Sequence, residues 1–85
     1  MPRVVFTSHL QRHVRCAEAD VPGATVGAAL DAAFRDQPQV RGYVLDEQGE
    51  LRRHVIVFVD GRRARLGDAV PASAAIHVMQ ALTGG

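Results

Sequence analysis

The chain opens with a dense apolar run, "RVVFTSHL", in which β-branched and aromatic residues predominate. It continues into "HVRCAEADV", where Val14, Cys16, Ala17 or Ala19, and Val21 alternate with polar positions. Period-two spacing puts such residues on one face of a strand, so the pattern predicts a β-hairpin with Leu10 to Arg12 at its turn. The period then changes. In "PGATVGAALDAAFRDQP" the residues Val26, Leu30, Ala33 and Phe34 fall at i, i+4, i+7 and i+8, a single helical stripe, with Thr25 as N-cap and Pro38 as the stop. "QVRGYVLDEQGELRR" carries turn chemistry at Gly42 and from Asp46 to Gly49, and reads as a loop holding a short strand around Tyr43 to Leu45.

"HVIVFVDGRRARL" gives the clearest strand signal. Val55, Val57 and Val59 face one way, Ile56 and Phe58 the other, and Asp60-Gly61 is a favoured two-residue turn from which Arg62 to Arg65 begin a return strand. A loop closes at Val70-Pro71, and "AAIHVMQA" alternates as a final strand. The expected order is strand, strand, helix, strand, strand, strand. That order predicts an α+β domain, one main helix packed across a mixed sheet of four to five strands, over residues 1–80, with 81–85 as a flexible tail. The first and last strands are expected side by side, so that the tail leaves from a rigid strand. No repeat, low-complexity segment or linker interrupts the chain.

Composition narrows the function. At 85 residues the chain makes one domain, and 47% hydrophobic residues suffice for a modest core. With only Phe6, Phe34, Tyr43 and Phe58 as aromatics, that core must be mainly Val, Leu, Ile and Ala. A net charge of +1 gives no electrostatic footprint for nucleic acid. The single cysteine, Cys16, cannot form an internal disulfide, which fits a reducing compartment. No apolar run approaches the ~20 residues of a membrane span and the N-terminus lacks a signal-peptide pattern, so the expected location is the cytoplasm. His9, His13, His54 and His77 do not form a Cys/His cluster with three or four convergent zinc ligands, so no metal site is expected. Cys16, on an alternating stretch, reads as a small buried hydrophobe rather than a nucleophile. Phe58 and Met79 are open to either role, partner contact or packing against the helix.

The sequence ends "QALTGG". Gly84 and Gly85 lack Cβ atoms, so a chain end built from them can thread a narrow channel, adopt φ angles closed to other residues and leave its carboxyl unshielded. Extended at about 3.3 Å per residue, Gln80 to Gly85 spans roughly 20 Å, enough to reach a buried site while the domain stays outside.

The order of elements, the "VFVDG" hairpin and the terminal "LTGG" together resemble the β-grasp sulfur carriers of the MoaD/ThiS type. These are the small subunit of molybdopterin synthase, the thiamine-pathway carrier and their ubiquitin-like relatives, and the resemblance covers essentially the whole chain. "GELRRHVIVFVDG" is most similar to a branch that includes carriers serving cysteine synthesis and other metabolite pathways, whereas "PASAAIHVMQ" departs from the acidic, glycine-containing turn usual before the last strand. The resemblance implies that the Gly85 carboxylate is the chemical group, adenylated with ATP by an E1-like enzyme of the MoeB/ThiF type and converted to a thiocarboxylate that donates sulfur to a synthase. Gly84 is then the steric residue, and Ala81, Leu82 and Thr83 the threaded stem. On this reading the chain is a protein cosubstrate, not an enzyme, and binds no cofactor itself. Arg52, Arg53, Arg62, Arg63 and Arg65 surround one hairpin. Arg62 and Arg63 lead as candidates for docking on an acidic face of the activating enzyme, the other reading being charged strand edges that keep sheets from pairing. Two rival functions stand beside the carrier: a ubiquitin-like modifier that forms isopeptide bonds, and a β-grasp interaction module whose glycines are accidental.

Overall fold

The computed structural model describes residues 1–12 and 14–80. Eight elements follow in order: β1 (Arg3–Phe6), α1 (Ser8–Gln11), β2 (Ala19–Asp20), α2 (Val26–Asp36), α3 (Pro38–Val44), β3 (Val55–Val59), β4 (Arg62–Ala64) and β5 (Ala75–Gln80). The strands form one five-stranded sheet in the order β2-β1-β5-β3-β4, in which β1 and β5 are parallel neighbours and the other pairs antiparallel. The expected α+β layers and the pairing of first with last strand are both present.

Register explains the core. Val4 of β1, Ile76 of β5 and Val59 of β3 lie side by side in one cross-strand row, and Phe6, Val78 and Val57 in the next. Because side chains alternate along each strand, both rows face the same layer. Over them packs the predicted stripe of α2, with Val26, Leu30, Ala33 and Phe34 buried together with Ala29. The start of α2 is held from outside the helix. Thr25 Oγ1 accepts from Ala28 N–H (3.2 Å), while the Val26 and Gly27 N–H groups donate to the carbonyls of Asp68 (3.0 Å) and Leu66 (2.8 Å). The donors that a first turn leaves open are therefore satisfied, two of them by a distant loop.

Two elements differ from the sequence expectation. The first hairpin does not turn at Leu10 to Arg12; α1 interrupts it, and Leu10 is a core residue only 2% exposed. Gln11 steadies this turn of helix by donating from Nε2 to the Phe6 carbonyl (2.8 Å). The segment around Cys16 is not paired strand either, β2 being confined to Ala19–Asp20 and tied to β1 through Arg3, which donates to Asp20 at 3.0 and 3.2 Å. That contact holds the Asp20 carboxyl below its usual range. The second difference follows Pro38. This residue does end α2, but it also stands in the first turn of α3, where its missing N–H costs nothing. Val40 and Val44, at i and i+4, are both fully buried, so the region expected as a loop with a short strand is mainly helix. Only Leu45 keeps a trace of strand, in an isolated bridge to Leu51 across the turn at Asp46 to Glu50.

Gly23 stands where the chain enters α2. A Cβ there would lie 2.5 Å from the Ala29 nitrogen and 2.7 Å from the Ala29 Cα, backbone atoms of a packed helix that cannot yield locally. Gly23→Ala is therefore expected to lower stability by about 1–3 kcal/mol, read as a drop in the denaturant midpoint. An unchanged midpoint would show that the entry to α2 can shift to admit a methyl group.

Candidate functional site

The strand that leads toward the C-terminus is the most enclosed in the sheet. β5 pairs with β3 from Ile76 to Gln80 on one side and with β1 from Ala75 to Val78 on the other, Val55 being opposite Gln80 and Phe6 opposite Val78. Thr7 N–H extends this by donating to the Val78 carbonyl (3.1 Å). A strand so held cannot swing, so Gln80 is a fixed point from which the remaining residues start. Ala81, Leu82, Thr83, Gly84 and Gly85, which carry the expected chemistry, lie outside the described residues, as does His13. The Gln80 Oε1 atom is buried with no hydrogen-bond partner among the described residues.

The arginines divide between the two ends of the sheet. Arg62 and Arg63 stand exposed on β4 beside the Asp60-Gly61 turn, whose φ angles of 48° and 85° match the twist-compatible hairpin type expected for that pair. Asp60 fixes this end by accepting at Oδ1 from Ala75 N–H (2.9 Å) and donating its own N–H to the Ala75 carbonyl (3.0 Å). Arg62 is opposite Val59, which is opposite Ile76, so Arg62 lies level with the start of β5, about 13 Å along the strand from Gln80 at ~3.3 Å per residue. Arg52, Arg53 and His54 come immediately before Val55 and so stand at the end where the tail departs. Arg52 Nε donates to the Gly42 carbonyl (2.6 Å), whereas Arg53 and His54 are exposed in the turn closed by Val55 N–H to the Arg52 carbonyl (2.9 Å). Sequence proximity groups all five arginines around one hairpin; the register separates Arg62 from Arg52 and Arg53 by the length of β3, while Arg65 follows β4 back from the turn.

The sheet face away from the helices carries the remaining candidates. Phe58 lies there half-buried, flanked by His77 of β5 and Arg63 of β4, and Ile56 lies opposite Met79, which is 38% exposed. Neither Phe58 nor Met79 is in the core beneath α2. Cys16 is buried, and burial pushes its thiol up, away from the thiolate that a nucleophile would need. Among the described residues, His, Cys, Asp and Glu form no group of three or more able to hold a metal ion. No helix among them is long and apolar enough to cross a membrane.

No protein-family model matches the chain. Small archaeal modifier protein 1 of Haloferax volcanii is 38% identical over 72 residues, which cover 84% of this chain and 83% of that protein. A crystal structure of the same Haloferax protein superposes with a TM-score of 0.80 at 32% identity, covering 99% of this chain and 98% of that one. The complex of BexX with CysO from Amycolatopsis orientalis contains a chain that superposes with a TM-score of 0.83 over 100% of both chains, at 20% identity, a likeness of fold alone.

Proposed function

The chain belongs to the ubiquitin-like β-grasp family of small modifiers and MoaD/ThiS-type sulfur carriers, and from that membership we propose that it carries sulfur as a C-terminal thiocarboxylate on Gly85. The observation that carries this reading is the placement of β5. It is the central strand of the sheet, paired with β1 as far as Val78 and with β3 as far as Gln80, the residue that precedes "ALTGG" in the sequence. A carboxylate is a poor acyl donor until its oxygen gains a good leaving group. In the proposed sequence the Gly85 carboxylate attacks the α-phosphorus of ATP within an E1-like activating enzyme, and pyrophosphate leaves. Sulfide from the sulfur donor then displaces AMP from the mixed anhydride and loses its proton to give the thiocarboxylate. The thiocarboxylate sulfur finally attacks an electrophilic acceptor held by a synthase, displacing its leaving group, and water hydrolyses the resulting thioester to return the carboxylate. No side chain of this protein acts as acid, base or nucleophile, and ATP is consumed by the partner. A cytoplasmic location accords with the ATP requirement and with an unpaired Cys16.

The Haloferax relative is named as a modifier, which favours a second outcome for the same activated carboxylate, attack by a lysine amine of another protein to form an isopeptide bond. Both routes share the adenylation step and part at the nucleophile. Intact-mass analysis after incubation with the activating enzyme, ATP and a sulfur donor tests them together. An oxygen-to-sulfur mass gain on the free chain is the expected result. A ladder of conjugates without that gain would replace the carrier reading with the modifier, and an unchanged mass would remove both.

A further inference from the structure

All ten basic side chains in the sequence are arginine, and none is lysine. The two cations carry the same charge but differ in chemistry. An ammonium that loses its proton becomes a nucleophilic amine, whereas a guanidinium stays protonated in any protein environment and does not attack an acyl carbon. Guanidinium geometry does not explain the choice. Among the described residues only Arg3, bound to Asp20 and Glu18, and Arg52, bound to the Gly42 carbonyl, make side-chain hydrogen bonds, and all ten arginines are exposed. Arg62 and Arg63 stand on β4, an edge strand, where lysine is the usual charge that keeps sheets from pairing. At such solvated positions a lysine would supply the charge equally well.

The fold withholds the other lasting nucleophiles. Cys16, the single thiol, is buried and its thiol is pushed up by that burial. The α-amino group of Met1 is exposed but lies beyond the end of the sheet opposite to Gln80. β1 runs parallel to β5 with Arg3 opposite Ala75, and it continues outward through Pro2, whose carbonyl accepts from Val21 N–H (2.9 Å). The path along the sheet from Gln80 back to Met1 is then about 23 Å at ~3.3 Å per residue. A tail with a reach of roughly 20 Å that must first reverse its direction at Gln80 falls short of it.

We propose that the all-arginine surface makes this protein unable to accept its own activated carboxylate, so that copies do not join into chains and the Gly85 acyl group passes only to a nucleophile supplied by a partner. The inference rests on the carrier reading above and holds for either fate of the carboxylate, sulfur transfer or attachment to another protein. The reaction avoided is specific. An unprotonated amine would attack the adenylated Gly85 carbonyl carbon, AMP would leave with the bonding electron pair, and the nitrogen would shed a proton. The amide so formed resists water and takes a carrier out of the cycle. An acyl group caught by an imidazole such as that of His54 is returned by hydrolysis instead.

The test compares the wild-type chain with the charge-preserving variant Arg35→Lys/Arg41→Lys/Arg65→Lys, whose exposed positions are spread over α2, α3 and the residue after β4. Each chain is incubated with the activating enzyme and ATP and followed by intact mass, with hydroxylamine in a parallel sample as the small amine that reports activation. Hydroxamate is expected on both chains. Joined copies, at twice the chain mass less one water, are expected from the lysine variant and not from the wild type. Joined wild-type copies, whether linked through Met1 or any other residue, would overturn the inference. A lysine variant that forms hydroxamate yet stays single would overturn it as well, because the missing amine would then not be what keeps copies apart. Absence of hydroxamate on the wild-type chain would remove the carrier reading itself, and the inference with it.

Discussion

Gly84→Ala is expected to leave the domain folded and to slow adenylation of the Gly85 carboxylate by about a hundredfold, the loss that follows when a reacting group is displaced by about 1 Å. The substitution adds one methyl group and keeps the terminal carboxylate. If the chain end must pass a tight channel and turn its carboxylate toward ATP, the new Cβ removes the conformations with positive φ and widens the chain at its narrowest point. Folding is expected to be retained, because glycine has no side chain to contribute to a core. ATP–pyrophosphate exchange with wild-type and variant chains, alongside circular dichroism of both, separates the two properties. A folded variant activated at the wild-type rate would remove the steric role of the diglycine.

Phe34→Ala should act in the reverse sense, abolishing stability while touching none of the residues assigned to chemistry. Phe34 lies on the buried stripe of α2 with Leu30 and Ala33, over a sheet face built from Val4, Phe6, Val57, Ile76 and Val78. The rest of the α2 stripe is Val, Ala and Leu, and the other buried aromatic, Phe6, is fixed in β1, so no neighbour is free to close the space. The expected loss is about 3–5 kcal/mol, a transfer cost plus that of a cavity the packed helix cannot collapse, and for a domain this small it is most of the total. Urea unfolding of the variant measures it. A near-neutral midpoint would mean that α2 repacks onto the sheet without its aromatic anchor.

Both residues belong to the part of the molecule that is legible in the sequence. The α2 stripe, the Thr25 cap, the β3 alternation and the Asp60-Gly61 turn are local patterns, written within a few residues and enforced by backbone geometry. The diglycine is legible for the same reason. α3 escapes such a reading although Val40 and Val44 carry its signal at i and i+4, because Gly42 and the turn residues after it outweigh two apolar positions. α1 escapes it because four residues cannot sustain a helix alone; burial of Leu10 and the bond from Gln11 to Phe6 supply what propensity lacks.

By itself, then, the sequence determined the layered α+β architecture, the stripe and strand faces that close the core, and a C-terminal pair of residues with no side chain to obstruct it, since each depends on neighbours within a turn or a strand. The tertiary structure alone decided which cations stand beside the tail. Arg62 and Arg53 are nine residues apart and read as one cluster, yet pairing of Val55 with Gln80 and of Val59 with Ile76 puts them at opposite ends of β5's partner strand. Register between strands is set by how the helices and five strands share one core, and no local pattern encodes it.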